Sequence, residues 1–255
     1  MSKLDGRYVW YNLITTDPQA AKTFYGDVVG LQAEDEAMPD RTYTVLHAGA
    51  PRVCGLMPIP PEAKAMGVPP NWTGYVATED VDADARKAVS LGGKVMREPE
   101  DIEGVGRFAI ITDPHGATIV LFHGNGEGPD PGQNEPGHVG WHELYAGDLD
   151  ADFGFYSSMF GWRKMDAMEG PMGTYQLFGK DDVMLGGMMT KPDPMPTPAW
   201  LYYFNVGDID QAIQRVKSGG GQVHNGPMEV PGGGWIAQAQ DPQGAMFALF
   251  GSRAH

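Results

Sequence analysis

The stretch VWYNLITTDPQAAKTFYGDVVGL at residues 9–31 returns as GWHELYAGDLDADFGFYSSMFGW at residues 140–162, and this repeat decides the fold. Self-similarity at a fixed spacing is the signature of duplicated modules, so it is read before any local pattern. The shared positions mix large aromatic residues, a turn acid and a glycine. The identical pairs are Trp10 with Trp141, Leu13 with Leu144, Asp17 with Asp148, Phe24 with Phe155, Tyr25 with Tyr156, and Gly30 with Gly161.

A second repeated stretch shows that the duplication extends over the whole chain. Residues 90–122 return as residues 218–250, with matching Gly-Gly and Asp-Pro-x-Gly punctuation. Between the copies lies a segment rich in Gly, Pro and acidic residues without an apolar period, which is typical of an exposed linker. The sequence therefore predicts a first module at 1–124, a linker at 125–138 and a second module at 139–255.

Local patterns indicate the same order of elements in each copy. A first strand is followed by an Asp at a helix N-cap, Asp17 or Asp148, then by apolar residues at helical spacing, and Gly30 ends the first such helix. Strand-like runs follow, and then a second helix that ends at the Gly92-Gly93 pair. Each half is therefore predicted to contain two βαβββ units, which is an α+β fold.

Composition limits the partners of this 255-residue chain. Its formal charge of −15 disfavours nucleic acid and anionic lipid surfaces. The single cysteine, Cys54, excludes an internal disulfide framework and a cysteine zinc cluster. The N-terminal stretch has no apolar signal-peptide region, and no run is long enough for a membrane-spanning helix. We expect a cytoplasmic protein, and the family resemblance described next implies a monomer or homodimer whose partner is a small organic molecule.

The repeated motifs resemble the vicinal oxygen chelate superfamily, which includes glyoxalase I, bleomycin-resistance proteins, fosfomycin-resistance enzymes and extradiol dioxygenases. The first strand leads to an Asp, then come A-x-x-F-Y-x-x-x-x-G, D-V-D-A, G-G and D-P-x-G before an apolar strand. The resemblance covers nearly the whole chain twice. It implies two glyoxalase-like modules, each a curved mixed sheet of two βαβββ units around a ligand cavity.

The same resemblance implies where a divalent metal ion would be held in metal-dependent members, by His, Gln or Glu. The corresponding positions here are Trp10, Thr73 and Val120 in the first module and Trp141, Leu201 and Ala248 in the second. None offers a strong oxygen or imidazole ligand, and a divalent ion needs several. A shift of the strand register by one residue could make His142 a metal ligand, but it would move every side chain of the strand to the opposite face. We therefore expect no metal ligands and no cofactor.

Strand alternation predicts which side chains line the ligand side instead. Aromatic walls with isolated polar groups suit a small organic ligand, although aromatic residues also fill ordinary cores. The predicted ligand-binding residues are Trp10, Trp141, Thr73, Tyr75, Leu201, Tyr203, Tyr43 and Tyr175. The predicted catalytic residues are Glu143, Tyr145 and Asn12.

Three functions are open at this point. The first is a glyoxalase or bleomycin-resistance-like protein with an erased metal site that binds a hydrophobic or aromatic molecule. The second is a metal-independent lyase, isomerase or hydrolase in which Glu143, helped by Tyr145 or Asn12, moves a proton, because a carboxylate among apolar groups suits general acid–base chemistry. The third is a metal-dependent glyoxalase- or dioxygenase-like enzyme with ligands at unusual positions.

Overall fold

The computed structural model describes most of the chain. The described residues are 4–37, 42–126, 132–193 and 195–253. Residues 127–131 of the predicted linker fall outside these ranges. Among the described residues, none of the helices is both long and apolar enough to cross a membrane.

The first half follows the predicted order of elements, with one addition. Its elements are β1 (Tyr8–Thr15), α1 (Pro18–Val29), β2 (Gln32–Ala37), β3 (Thr42–His47), β4 (Arg52–Pro58), α2 (Pro61–Ala65), β5 (Asn71–Ala77), α3 (Val81–Ser90), β6 (Lys94–Ile102), β7 (Gly106–Thr112) and β8 (Thr118–Gly124). The short helix α2 was not predicted from the sequence. It begins at a proline, whose fixed φ suits the first helical position.

The second half repeats the order without the extra helix. Its elements are β9 (Val139–Ala146), α4 (Leu149–Phe160), β10 (Arg163–Gly170), β11 (Gly173–Lys180), β12 (Val183–Thr190), β13 (Ala199–Asp208), α5 (Ile209–Ser218), β14 (Gln222–Glu229), β15 (Trp235–Gln240) and β16 (Met246–Ser252). Each half thus contains two βαβββ units, which confirms the α+β prediction.

The repeated acids and glycines act as helix caps, as predicted. The Asp17 carboxylate accepts a hydrogen bond from the backbone N–H of Ala20 at 3.0 Å, and Asp148 accepts one from Ala151 at 2.9 Å. Gly30 ends α1 in the left-handed region, with φ of 89°. Side-chain oxygens at the N-cap satisfy amide groups that the helix leaves unpaired, so these residues set where α1 and α4 begin.

The strands form two mixed eight-stranded sheets, one in each half of the chain. The strand orders are β2-β3-β4-β1-β5-β8-β7-β6 and β10-β11-β12-β9-β13-β16-β15-β14. In each sheet the first strand of every βαβββ unit pairs in parallel with the last strand of that unit. The last three strands of each unit pair antiparallel with one another in sequence order. The two sheets have the same order, so residues at matching positions occupy equivalent places.

The compact units of the structure do not coincide with the sequence modules. One compact unit consists mainly of the second βαβββ unit of the first half and the first βαβββ unit of the second half. The other consists mainly of the two remaining βαβββ units. Each compact unit therefore draws on both modules.

A buried Trp-Tyr-Asp network stabilises each compact unit. In one unit the Tyr156 hydroxyl donates to Asp113 at 3.1 Å and accepts from the Trp200 indole at 2.9 Å. The Asp113 carboxylate also accepts three backbone N–H groups of its own Asp-Pro-x-Gly turn, at 2.7–2.9 Å. The two repeated signatures Phe-Tyr and Asp-Pro-x-Gly thus meet in space although they come from different modules.

The other compact unit contains the matching network. The Tyr25 hydroxyl donates to Asp241 at 3.0 Å and accepts from the Trp72 indole at 2.8 Å. Burial raises the pKa of both tyrosines well above the ordinary value, and the neighbouring aspartate raises it further. The hydroxyls therefore remain protonated donors.

Candidate functional site

The predicted site residues of the first strands lie on equivalent faces of the two sheets. On β1, β3 and β4, the first-module face comprises Trp10, Asn12, Ile14, Tyr43, Gly55 and Met57. On β9, β11 and β12, the second-module face comprises Trp141, Glu143, Tyr145, Tyr175, Gly187 and Met189. Each face falls within one compact unit. The tryptophan and tyrosine side chains are half-buried, so the faces are partly open.

The second-module face carries a chain of three hydrogen-bonded side chains. The Trp141 indole N–H donates to the Tyr175 hydroxyl at 3.0 Å, and this hydroxyl donates to Glu143 Oε2 at 2.9 Å. Burial and the charge of Glu143 raise the pKa of Tyr175 well above its ordinary value. The phenol therefore keeps its proton and orients the carboxylate, which is only 6% exposed.

A glycine on the neighbouring strand creates the space for this tyrosine. Gly187 pairs with Glu143 in the parallel register of β12 and β9. A Cβ at Gly187 would overlap the ring and hydroxyl of Tyr175. The first-module face repeats the arrangement, because a Cβ at Gly55 would overlap the Tyr43 hydroxyl. Sequence reasoning missed both glycines, although they stand at matching places in the two copies.

The first-module face has the same aromatic pair but a different polar residue. The Trp10 indole N–H donates to the Tyr43 hydroxyl at 2.9 Å. Asn12 occupies the place of Glu143 and is 5% exposed. Within the described part of the chain, its Oδ1 atom has no hydrogen-bond partner. The two faces therefore share the Trp–Tyr pair and differ at the polar position and at Ile14, whose place Tyr145 takes in the second module.

The remaining predicted ligand-binding residues differ in accessibility between the halves. Thr73 and Tyr75 are half-buried, and the Tyr75 ring meets Phe122 edge-on at 5.9 Å between centroids. Leu201 and Tyr203 are buried, with exposures of 5% and 1%. The Tyr203 hydroxyl accepts a hydrogen bond from the Gln238 amide at 2.8 Å, a partner that the sequence analysis did not identify.

The predicted catalytic residues do not form one group. Glu143 and Tyr145 share the second-module face, where Tyr145 pairs in register with Met189. Asn12 belongs to the first-module face and to the other compact unit. The structure therefore presents Asn12 as the counterpart of Glu143 in its own module.

Two histidines near these strands make contacts that are typical of structural residues. His142 is 2% exposed, its Nδ1 lies 2.6 Å from the Leu185 carbonyl oxygen, and its ring stacks on Tyr8 at 3.8 Å. Burial lowers the pKa of His142 to about 3, so the ring is neutral. The His115 side chain is 37% exposed and pairs with the fully buried Asp152 at 2.5 Å. This hydrogen bond raises the pKa of His115.

The positions at which relatives hold a metal ion do not fit one here. The side chains there are indole, hydroxyl or aliphatic, and two of them, Val120 and Ala248, are 2% and 0% exposed. Within the described ranges, no three His, Cys, Asp or Glu side chains are grouped closely enough to bind an ion. Divalent ions need several oxygen, nitrogen or thiolate donors, and this donor set does not supply them.

A separate groove of about 500 Å³ lies outside both aromatic faces. It is lined by Val29, Gly30, Ala48, Gly49, Pro51, Glu135, Pro136, Gly137 and His138. Its one imidazole, that of His138, is 6% exposed and lies 3.2 Å from the Pro136 carbonyl oxygen. The groove therefore lacks the converging polar side chains of a specific ligand site.

Comparison with known proteins gives relatives that the chain matches over nearly their whole length. The chain is 36% identical over 243 residues to "Putative glyoxylase CFP32" of Mycobacterium tuberculosis, covering 94% of this chain and 92% of the relative. It is 30% identical over 257 residues to "Anthracycline biosynthesis protein DnrV" of Streptomyces peucetius, covering 96% and 92%.

Solved structures show the same fold at lower identity. The Mn(II)-bound glyoxalase of Novosphingobium aromaticivorans matches with a TM-score of 0.65 at 17% identity, covering 99% of this chain and 83% of that one. The 2,2',3-trihydroxybiphenyl 1,2-dioxygenase of Sphingomonas wittichii matches with a TM-score of 0.68 at 15% identity, covering 99% and 91%.

The model of the Glyoxalase/Bleomycin resistance protein/Dioxygenase superfamily matches residues 7–121 and again residues 136–249. These two matches follow the two copies of the sequence repeat and the two eight-stranded sheets. The protein is thus a member of this superfamily, the vicinal oxygen chelate superfamily, with two tandem modules.

Proposed function

We propose that the protein binds a small hydrophobic or aromatic organic molecule against its aromatic faces, without the divalent ion that metal-dependent relatives use. The observation that carries this proposal is the half-buried indole of Trp141, fixed by its hydrogen bond to Tyr175. Trp10 and Tyr43 repeat the pair in the first module. Flat apolar walls with a few fixed polar groups are typical of small-molecule sites.

Rigidity supports a binding role for these aromatic pairs. An indole that is already held by a hydrogen bond loses little conformational entropy when a ligand stacks on it. The methionines of the faces, Met57 and Met189, are flexible and polarisable and can adapt to irregular apolar shapes. A fixed wall beside adaptable side chains suits a ligand with a flat ring system and variable substituents.

The donor set supports binding without a metal ion. An indole stands at the first metal position of each module, and aliphatic groups stand at the last. The polar side chains nearby, those of Tyr175 and Glu143, are hydrogen-bonded to each other. We therefore assign ligand recognition to ring contacts and hydrogen bonds, not to coordination.

The names of the relatives suggest the first probes. One relative is named for anthracycline biosynthesis, and anthracyclines carry planar fused rings. We therefore choose 2-naphthol and anthraquinone as minimal planar probes of different size. Both probes have flat aromatic faces that can stack on the indole rings of the two faces.

Titration calorimetry of the native protein with these probes tests the binding proposal. Replacing Trp141 or Trp10 by leucine should weaken binding about fivefold to fiftyfold, as expected when an aromatic stacking partner is lost. The matched control is Trp235→Leu, because the Trp235 ring is half-buried and contacts Arg253 away from both faces. Binding that is absent, or unchanged in both face variants, would refute the proposal.

Elemental analysis of protein purified without chelators tests the metal-free part separately. We expect well under about one equivalent of divalent metal per chain, because the donor set is unsuited. A tightly held ion at about one equivalent, required for turnover, would instead support the metal-dependent alternative.

A second candidate function, metal-independent proton transfer, is favoured by the Tyr175–Glu143 hydrogen bond. In an isomerase reaction the carboxylate would remove a proton from an acidic carbon and return it elsewhere on the substrate, whereas in a lyase reaction it would pass the proton to the departing group as the double bond forms. Tyr175 would orient the carboxylate and keep its own proton. Tyr145, on the same face, could hydrogen-bond the substrate. Asn12 cannot take up a proton in this way, so catalysis would belong to the second module.

Glu143→Gln separates binding from catalysis. The amide has nearly the same shape as the carboxylate but cannot act as a base. If the protein catalyses proton transfer, this variant should retain probe affinity and lose exchange of the α-proton of 2-tetralone with D₂O, followed by proton NMR. No exchange by the native protein would favour binding alone.

A further inference from the structure

One ion pair joins the two copies of the repeat inside a compact unit. His115 lies in the Asp-Pro-x-Gly turn of the first copy, and Asp152 lies in the first turn of α4 in the second copy. His115 Nδ1 lies 2.5 Å from Asp152 Oδ1. At the corresponding positions of the repeat, the other compact unit has Gln243 and Ala21. The histidine and the acid are thus present together in one unit and replaced together in the other.

The Asp152 carboxylate also binds the backbone at the end of β9. Its Oδ2 accepts hydrogen bonds from the backbone N–H groups of Gly147 at 2.9 Å and Asp148 at 3.3 Å. The Gly147 backbone lies so close to His115 that a Cβ built there would lie 2.5 Å from the Cγ atom of the imidazole. The buried acid therefore binds two segments at once, the turn between β9 and α4 and the histidine of the first copy.

The charged groups that act most strongly on His115 are all acidic. They are Asp152 and Asp148 at the start of α4 and Asp113 in its own turn. Asp152 and Asp113 are 0% and 1% exposed. Burial, and then the charge of Asp152, raise the pKa of Asp113 above its ordinary value. A protonated His115 therefore places a positive charge beside acids whose mutual repulsion is strengthened by burial.

We propose that His115 and Asp152 form a pH-sensitive latch between the two copies, closed by the imidazolium and loosened when the ring loses its proton. The neutral ring can still donate one hydrogen bond from Nδ1, so the loosening comes from the loss of its charge. Gly147 directly follows β9, the strand that carries Trp141 and Glu143. The latch therefore acts on a strand of the candidate site, but it needs no ligand and does not depend on the proposed binding function.

The direction of the pH effect follows from the hydrogen bond between the two side chains. This bond raises the pKa of His115 above its ordinary value. The latch is therefore fully closed below about pH 6.5 and loosens as the pH rises through the raised value. The His115 side chain is 37% exposed, so solvent screening limits the change in the opening equilibrium to about twofold to fivefold.

Hydrogen exchange of the whole protein, followed by mass spectrometry, tests the latch. The peptides to compare contain Gly147 and Asp148, whose N–H groups donate to Asp152. After correction for intrinsic exchange rates, their opening in the native protein should increase about twofold to fivefold between about pH 6 and about pH 9. His115→Gln carries no charge at either pH, so this variant should show the larger opening at both.

The other compact unit provides the matched control. Gln243→His places an imidazole in the equivalent turn, where the helix position corresponding to Asp152 is Ala21. The exchange of the equivalent turn, residues 16 and 17, should then show no added pH response. In NMR titrations the imidazole signal of His115, identified by its absence from His115→Gln, should titrate above about pH 6.5. The imidazole introduced by Gln243→His should titrate at a lower pH than His115.

A pH response that requires His115, together with its titration above about pH 6.5, would support the latch. Equal corrected exchange at both pH values, a pH response retained in His115→Gln, or a His115 signal that titrates at or below about pH 6.5 would overturn it. None of these measurements includes a ligand. A failure of the latch would therefore leave the proposed binding function standing, and a failure of probe binding would leave the latch standing.

Discussion

Replacing Gly187 by alanine should displace the Tyr175 side chain and break its hydrogen bonds with the other side chains of the second-module face. An added Cβ would lie at least about 1 Å inside ordinary van der Waals contact with the phenol. A ring shift of that size would break the bonds from Trp141 at 3.0 Å and to Glu143 at 2.9 Å. Two hydrogen bonds at about 1 kcal/mol each, with an overpacking cost of about 1 kcal/mol or more, give a loss of roughly 2–4 kcal/mol in unfolding free energy.

Urea unfolding followed by far-UV circular dichroism measures this loss, and a double-mutant cycle identifies its cause. In a Tyr175→Ala background the clash partner is gone, so Gly187→Ala should cost less than about 1 kcal/mol. Gly154→Ala is the control, because this exposed helical glycine has no neighbour within 4 Å of a Cβ, and alanine should stabilise it by about 0.5–1 kcal/mol. An equal cost of Gly187→Ala in both backgrounds would refute the reasoning.

Three further predictions concern stability. Tyr156→Phe and Tyr25→Phe should each lower the unfolding free energy by about 2–3 kcal/mol in urea titrations, because each leaves a buried indole N–H and a carboxylate oxygen unpaired; a loss confined to one of them would contradict the matching networks. The hydrogen bond to Asp152 raises the pKa of His115, so its contribution is complete below about pH 6.5 and is lost as pH rises through the raised value. His115→Gln should therefore cost up to about 1 kcal/mol near pH 6 and nothing near pH 9, since the side chain is 37% exposed; the reverse order would disprove the ion pair. Asn12→Leu should raise the unfolding free energy of the ligand-free protein by about 1–2 kcal/mol, because it removes an unpartnered buried amide; a lower melting temperature would argue that the amide is satisfied in solution.

The order of elements could be predicted because it depends on local signals. Asp17 and Asp148 cap helices for reasons contained in a few neighbouring residues, and Gly30 ends a helix through its own backbone freedom. Because the chain is duplicated, these local signals occur in both copies. The exception is α2 at Pro61–Ala65, a short helix that begins at a proline and was not predicted.

The contacts of the candidate site could be predicted only in part. Alternation placed Trp10 and Asn12 on one face, but the hydrogen bond to Tyr43 depends on strand register across β3 and β4, which no local pattern contains. The role of Gly187 was hidden for the same reason. The difference between Asn12 and Glu143 was visible in the alignment of the two copies, whereas the unpaired state of the amide depends on tertiary packing.

The sequence could not indicate that each compact unit combines pieces of both modules, since that depends on long-range packing. Tyr156, for example, belongs to the second module, and its acceptor Asp113 belongs to the first. Both residues were identified as repeat signatures. Their pairing with each other was not anticipated.

This exchange of pieces has a consequence for the history of the gene. A polypeptide ending after the first copy would lack Tyr156, which donates to Asp113, and Trp200, which donates to Tyr156, together with the helix that carries Tyr156. Neither copy can therefore be deleted without exposing the interior that it shared. The fused gene has become indivisible, although the buried face residues Asn12 and Glu143 differ between its two copies.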